Sequence, residues 1–222
     1  MTASVWVALA LTLKVALWAT VLNLVLGVGA GWVLARRRFI GRELVDAVLT
    51  LPLVLPPTVM GYYLLVVIGK RGWLGQWLTE SFGINLIFSW QGAVLAATVV
   101  AFPLILKSAR TAFETVDPQL EMAARVLGLG EWAVFFRVTV PMAWPGILAG
   151  TLLVFARSLG EFGATLMVAG SIPGRTQTLS IAVHEAVQAG DDATATQLVL
   201  VISVTCLVVL LLASRLTSAG KR

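Results

Sequence analysis

Residues 121–141 read EMAARVLGLGEWAVFFRVTVP, and they separate two much longer apolar stretches of the chain. The segment is preceded by a helix start signal, because Asp117 is a good N-cap residue and Pro118 is well tolerated in the first turn of a helix. Gly128 and Gly130 are typical of a helix end. This pattern predicts a helix of roughly 15 Å, which is far too short to cross a membrane. We therefore expect a short helix that lies along the membrane surface.

The predicted surface helix, residues 117–130, has two kinds of face. Apolar side chains recur at helical spacing at Leu120, Ala123, Ala124 and Leu127. Glu121 and Arg125 are spaced i, i+4, and we expect them to form an ion pair on another face. Amphipathicity leaves two interpretations open, a tether between two membrane spans and a docking element for a second protein.

The rest of the chain has the composition of an integral membrane protein, since 59% of its residues are hydrophobic and only 12% are charged. Lipid offers no hydrogen-bond partner for backbone groups, so membrane spans in such a chain must be helical. We predict an all-α fold, formed by residues 5–215, with a periplasmic segment at 176–194 that is too polar to span. Five stretches are long and apolar enough to span, at about 15–35, 45–68, 88–109, 146–169 and 195–214.

Basic residues are distributed unequally between the predicted loops. One set of loops holds Arg36, Arg37, Arg38, Arg42, Lys107, Arg110, Arg125, Arg137, Arg215, Lys221 and Arg222. Only Lys70, Arg71 and Arg175 lie in loops on the other side. The positive-inside rule therefore predicts an N-terminus outside and a C-terminus in the cytoplasm. The net charge of +5 then reflects topology, and a basic patch for nucleic acid would not be divided among separate loops.

Three prolines interrupt the second predicted span, in the sequence LPLVLPP at residues 51–57. Pro52, Pro56 and Pro57 each remove a helical hydrogen bond, and two prolines in a row prevent a regular helix at that point. Irregular backbone at membrane depth is tolerated only against protein or beside a water-lined cavity. The prolines thus indicate either a kink that neighbouring helices satisfy or a gate region.

Two opposite charges occupy the fourth predicted span, in FARSLGEFGAT at residues 155–165. Arg157 and Glu161 are four residues apart, and because isolated charges are costly in a membrane we expect them to pair or to face a polar seam. They can serve packing, or Arg157 can add positive potential to an anion path. Small residues at Gly27/Gly31 and Gly146/Gly150 predict close helix contacts.

The sequence argues against an enzyme. It contains no phosphate-binding GxxxxGK[ST] loop, and it has one histidine and one cysteine, His184 and Cys206, far apart. Neither a structural zinc site nor a nucleophile and base pair is indicated. We predict no catalytic residue, no metal ligand and no cofactor in this chain, and expect any ATP-derived energy to come from another subunit.

The surface helix resembles the "EAA" loop of permease subunits of ABC importers. The resemblance rests on Glu121, Ala123, Ala124, Gly128 and the Val140–Pro141 pair. In aligned register the family's acidic position falls on Met122, one residue after Glu121. The resemblance implies that this helix couples the chain to an ATP-hydrolysing subunit, with Glu121, Ala123, Ala124, Gly128 and Pro141 as the coupling residues.

Together with LPLVLPP and FARSLGEFGAT, the whole chain resembles the permease subunit of a molybdate ABC importer. The resemblance implies a multi-pass protein of the bacterial or archaeal cytoplasmic (inner) membrane that works as a homodimer. It also implies two copies of an ABC ATPase, which bind ATP and Mg, and a periplasmic or extracellular oxyanion-binding protein. Candidates for lining the translocation path are Pro56, Pro57, Arg157, Ser158, Glu161 and Thr165.

Three other interpretations stay open at this point. Within the same class, the substrate could be sulfate, thiosulfate or tungstate. From another class, the chain could be an ATP-independent secondary transporter or channel, although such carriers usually show repeated broken helices or rows of ionisable groups. A membrane anchor or assembly factor without transport activity is the third alternative.

Overall fold

A computed structural model describes residues 3–219, and every regular element in that range is helical. The long helices are α1 (Ala3–Arg36), α5 (Trp90–Glu114), α8 (Val140–Leu159) and α11 (Asp192–Ala219). The shorter ones are α2 (Arg42–Val54), α3 (Pro57–Ile68), α4 (Trp73–Phe82), α6 (Pro118–Val126), α7 (Glu131–Val134), α9 (Gly163–Ala169) and α10 (Leu179–Gln188). A π-helical turn over Phe135–Thr139 joins α7 to α8. Lys221 and Arg222, which contribute to the charge asymmetry, lie outside the described residues.

Four helical segments are long and apolar enough to cross a membrane, or five if the bent pair α2 and α3 forms one span. The four are Val5–Arg36, Trp90–Glu114, Glu131–Leu159 and Asp192–Leu211. The apolar run near the N-terminus is therefore a single helix that includes residues 5–14. This agrees with an all-helical membrane fold, because each long helix satisfies its own backbone hydrogen bonds.

Helix α5 is the centre of the molecule, with α1 and α8 packed against it. Small residues allow the helix axes to approach, as the glycine pairs predicted. A Cβ atom added to Gly31 would lie 2.9 Å from the Ala109 side chain, and one added to Gly146 would lie 2.6 Å from that of Ala112. Helix association in lipid depends on such close packing, since lipid tails are as apolar as the helices themselves.

Two of the predicted spans are broken. The stretch at 45–68 is divided at Leu55 and Pro56, and the axes of α2 and α3 differ by 118°. The stretch at 146–169 is divided as well, because α8 ends at Leu159 and α9 begins at Gly163. Apolar residues continue through the first break, so hydropathy alone cannot detect it, whereas the second break coincides with the polar residues Arg157, Ser158 and Glu161.

The two breaks pack against each other. A Cβ atom added to Gly163, the first residue of α9, would lie 3.1 Å from the Pro57 side chain. One added to Gly61 in α3 would lie 3.0 Å from the Cα atom of Ala164. The irregular backbone of one broken helix is thus covered by the other, which meets the requirement for non-helical backbone within a membrane fold.

The segment after α9 returns to the helix bundle. Helix α10 lies within the predicted periplasmic segment, residues 176–194, and its Leu179 is fully buried with Val5 and Leu198. The backbone N–H of Leu179 donates to the Thr12 hydroxyl at 2.9 Å. Helix α10 is therefore attached to both α1 and α11 through its apolar face.

Candidate functional site

Helix α6 begins and ends where local sequence signals predicted. The Asp117 carboxylate accepts a hydrogen bond from the backbone N–H of Gln119 at 2.9 Å, and Pro118 is the first helical residue. Gly128 adopts a φ of +87°, and the N–H of Leu129 donates to the Ala124 carbonyl at 3.1 Å. This is a helix end of the Schellman type, in which glycine meets the left-handed conformation without strain.

Glu121 attaches α6 to the rest of the molecule. Its carboxylate is buried, with Oε1 2.7 Å from Arg36 Nη2 at the end of α1. The same oxygen accepts a hydrogen bond of 2.7 Å from the Thr139 hydroxyl in the π-helical turn. One side chain therefore joins three elements that are distant in sequence.

The predicted pairing of Glu121 with Arg125 is wrong. Arg125 instead binds the carboxylate of Glu131 at the start of α7, with Nε–Oε1 and Nη2–Oε2 distances of 2.7 and 3.1 Å. The hydrogen bond that the Arg125 guanidinium donates to this carboxylate raises the pKa of Arg125 and lowers that of Glu131, so this exposed pair is fully charged at neutral pH. Glu121 pairs with Arg36 and not with Arg125, because Glu121 lies on the buried side of α6 whereas Arg125 is exposed.

The opposite side of α6 is apolar and exposed. Val126 and Leu127 are 87% and 83% exposed, and Met122 is 54% exposed. Of the predicted apolar face, Ala124 alone is buried, whereas Leu120 and Leu127 point outward. Ala123 is also exposed, and Pro141 lies apart from α6, in the first turn of α8. An apolar protrusion of this kind is typical of a protein contact surface.

Arg157 and Glu161 pair as expected, at 2.9 Å between Nη1 and Oε2. The side chain of Glu161 is 3% exposed and that of Arg157 is 36% exposed. Glu161 does not lie in the middle of a continuous span, as the sequence suggested, but in the break between α8 and α9. There its Oε1 accepts a hydrogen bond of 2.9 Å from the backbone N–H of Ala164. The carboxylate thus holds the arginine and caps the following helix.

The remaining path candidates lie at or next to the two breaks. Pro56 is the N-cap of α3 and Pro57 its first residue. Ser158 and Thr165 are buried in α8 and α9, and their hydroxyl oxygens have no hydrogen-bond partner among the described residues. The structure therefore brings Pro57 into contact with the residues that surround Glu161, although the two motifs are about a hundred residues apart in sequence.

Sequence reasoning missed Arg36 and Thr139, the two partners of Glu121. Arg36 belongs to a run of three arginines, which the charge distribution explains as topology alone. The signal that could have revealed its role is the acidic residue at position 121, because a carboxylate that becomes buried in a fold needs a basic partner.

The fold and these two sites define an all-helical membrane subunit with broken helices and a short surface helix. The chain belongs to the family described as "Binding-protein-dependent transport system inner membrane component", whose family model matches residues 5–219. The chain is accordingly an inner-membrane transport component.

Curated relatives are similar over most of the chain. The molybdenum transport system permease protein ModB of Escherichia coli (strain K12) is 52% identical over 82% of this chain and 80% of its own length. ModB of Haemophilus influenzae is 48% identical over 82% of this chain and 79% of its own length. The sulfate transport system permease protein CysW of Synechocystis is 44% identical over 80% of this chain and 64% of its own length.

Solved structures share the fold at low sequence identity. An inward-facing form of the MetNI methionine ABC transporter matches all of this chain and all of its own, with a TM-score of 0.74 and 17% identity. A bacterial alginate ABC transporter, in complex with its substrate-bound periplasmic protein, matches 98% of this chain and 79% of its own, with a TM-score of 0.77 and 16% identity. At these identities the likeness concerns the fold alone.

Proposed function

We propose that this chain is the membrane-spanning subunit of an ATP-driven importer that moves molybdate into the cytoplasm. The substrate assignment is supported by the relatives named as molybdenum transport permeases. The observation that carries the coupling to ATP is the two-sided character of α6. Its inner side is fixed by the buried Glu121 carboxylate, while its outer side presents Met122, Val126 and Leu127 to a partner.

Helix α6 transmits motion in this proposal. A partner ATPase, which binds ATP and Mg, accepts the exposed apolar side of α6 in a groove. Movement of that groove displaces α6, and the contacts of Glu121 with Arg36 and Thr139 carry the displacement to α1 and to the turn before α8. ATP and a loaded binding protein must each favour the outward-open state, because a ligand shifts a conformational equilibrium only by its differential affinity.

The arrangement in the membrane follows from the charge asymmetry. With the N-terminus outside and the C-terminus inside, α6 faces the cytoplasm and its ATPase, whereas the segment around α10 faces a binding protein outside.

Two copies of the chain form the pathway. Helix α2 supports this homodimer, because it has no buried residue and exposes Leu44, Val48 and Leu51.

The two packed helix breaks are the proposed translocation path. Arg157 retains partial exposure and supplies positive potential for a dianion, while Glu161 balances most of that charge. A nearly neutral pair lets the anion pass, since a strong dianion site at this depth would slow release.

Uptake of labelled molybdate into proteoliposomes tests the proposal. The vesicles would hold this chain with its genomically neighbouring ATPase and binding protein, with and without ATP. We expect uptake that needs both ATP and the binding protein and that excess sulfate barely reduces. Uptake that does not depend on ATP would overturn the importer assignment in favour of a secondary transporter or channel, and absence of a co-purifying ATPase would favour a membrane anchor.

A sulfate, thiosulfate or tungstate importer is the second candidate. It is favoured by the likeness to the sulfate permease CysW of Synechocystis, of which this chain covers 64%. Competition in the same vesicles separates the candidates. If sulfate or tungstate abolishes molybdate uptake at equal concentration, the substrate assignment moves to that anion while the importer assignment stands.

A further inference from the structure

A cavity of about 640 Å³ lies between the end of α1 and the segment that follows α6. Aromatic side chains form much of its wall, and Trp32 and Phe135 meet edge to face with ring centroids 5.3 Å apart. Three arginines and two glutamates complete it: Arg36, Arg37, Arg125, Glu121 and Glu131. Arg36, Glu121 and Thr139, which fix α6, line one side of this cavity, whereas the exposed apolar side of α6 and the proposed translocation path lie outside it.

The charges that line the cavity leave a positive surplus. Glu121 pairs with Arg36, and Glu131 pairs with Arg125. Arg37 forms no ion pair within residues 3–219. The cavity therefore offers the free guanidinium of Arg37, which suits an anion.

An exposed apolar face of α1 leads directly to this cavity. Leu22, Leu26 and Val33 are exposed at positions that share one side of the helix with Arg37. The twelve residues from Leu26 to Arg37 rise about 16 Å between the first and last Cα atoms, close to half of the roughly 30 Å hydrocarbon thickness of a bilayer. Trp32 lies just before Arg37, at the depth where tryptophan is enriched at membrane interfaces.

We propose that this cavity and the α1 face form a binding site for one anionic glycerophospholipid. The headgroup phosphate binds Arg37 inside the aromatic wall, and an acyl chain lies along Leu22, Leu26 and Val33. A basic pocket at the membrane boundary combined with a continuous apolar stripe fits a lipid better than a free anion, because a free anion leaves the stripe uncovered. The site is separate from the exposed apolar side of α6, so a lipid and an ATPase can bind together.

The site has a consequence for the docking helix. Arg36 lines the cavity and also holds Glu121, so the lipid headgroup lies next to the contact that fixes α6. Anionic lipid in the leaflet next to α6 then stabilises the docked position of α6. This inference rests on membrane insertion alone and does not depend on molybdate as the substrate.

Native mass spectrometry of the full-length protein, released from nanodiscs of mixed phosphatidylglycerol and phosphatidylcholine, tests the site. We expect preferential retention of one phosphatidylglycerol per chain, and a reduction of about fivefold in Arg37→Gln, the effect of one basic side chain near a membrane surface. Arg38→Gln is the matched control, since Arg38 is adjacent and exposed but lines a different cavity. We expect it to change retention by less than twofold.

Three results would overturn the proposal. Equal loss of phosphatidylglycerol in both variants would indicate general attraction to basic loops. Displacement of the bound lipid by millimolar glycerol phosphate would indicate a site for soluble anions. Cross-linking between two copies of the Leu26→Cys variant, in a Cys206→Ser background, would show that the α1 face is a protein interface. The thermal midpoints of both arginine variants should match that of the unmodified protein, because both side chains are exposed.

Discussion

Glu121→Ala should release α6 from the helix bundle without unfolding it. The substitution removes the 2.7 Å ion pair with Arg36 and the 2.7 Å hydrogen bond from Thr139. Loss of one partner of a buried ion pair costs about 3–5 kcal/mol, and a hydrogen bond to a charged group contributes about 1.5–3 kcal/mol. Because the Arg36 side chain is 23% exposed, water can hydrogen-bond to its guanidinium in the variant and offset part of the lost free energy. We expect docking of α6 to weaken by about 2–3 kcal/mol.

Hydrogen exchange measured by mass spectrometry can detect this change locally. If backbone amides of α6 exchange when the helix undocks, a loss of about 2 kcal/mol in docking free energy makes their exchange about 30-fold faster. The central helix α5 should exchange at an unchanged rate, since the hydrogen bonds and the ion pair of Glu121 link α6 to α1 and to the π-helical turn. The assay thus distinguishes local undocking from global unfolding.

The matched control is Glu131→Ala, which removes an acidic residue from the same segment. Glu131 pairs with Arg125, but the two side chains are 75% and 41% exposed. Exposed ion pairs contribute little to stability, because water screens both charges, so exchange in α6 should accelerate by less than about fivefold. Equal acceleration in the two variants would refute the reasoning, because it would show that burial does not make the Glu121 contacts stronger.

Other substitutions test the remaining contacts. Gly27→Val should lower the thermal midpoint in detergent, because the valine side chain would overlap that of Ile105 in α5 at a cost of about 1–3 kcal/mol. Gly29→Ala is the control and should have little effect, since its methyl group meets nothing within 4 Å. Gly128→Val places a β-branched residue at a φ of +87°, a backbone strain of about 1–2 kcal/mol that should distort the end of α6. We expect more ATP to be hydrolysed per molybdate imported. An unchanged ratio would count against the coupling role of α6. Glu161→Gln leaves Arg157 without its counter-charge, so we expect slower molybdate uptake and a lower thermal midpoint; uptake at the original rate would restrict the pair to a packing role.

The sequence predicted features that depend on neighbouring residues. Asp117 and Pro118 predicted the start of α6, and Gly128 predicted its end, because caps and left-handed glycines act within one helical turn. The glycine pairs predicted close helix contacts, since small residues in apolar helices have few other uses. The double proline at 56 and 57 predicted an irregular point, although proline spacing cannot specify an angle of 118°.

Features that depend on tertiary contacts could not be predicted. The partner of Glu121 is 85 residues away in sequence, whereas the local candidate Arg125 looked equally suitable by spacing alone. The end of α8 at Leu159 was missed because Gly160 and Gly163 can be read as close-packing residues within a span. Their other role becomes visible only when Glu161 is seen to cap α9 and Gly163 to contact Pro57.

The placement of acidic residues indicates where this fold can move. Asp46 holds α2 to α5 through Lys107 and Arg110, at 2.7 and 3.1 Å, and α2 has no buried residue of its own. Glu121 holds α6 to α1 in the same way, and Glu161 joins the break after α8 to the start of α9. Helices α2, α6 and α9 are thus attached through charged contacts, whereas α1, α5 and α8 interlock through glycine and alanine. A few charged contacts can exchange for water in one step, whereas extensive, tightly packed apolar surfaces cannot. We therefore expect α2, α6 and the α9 break to move during transport against a rigid unit of α1, α5 and α8.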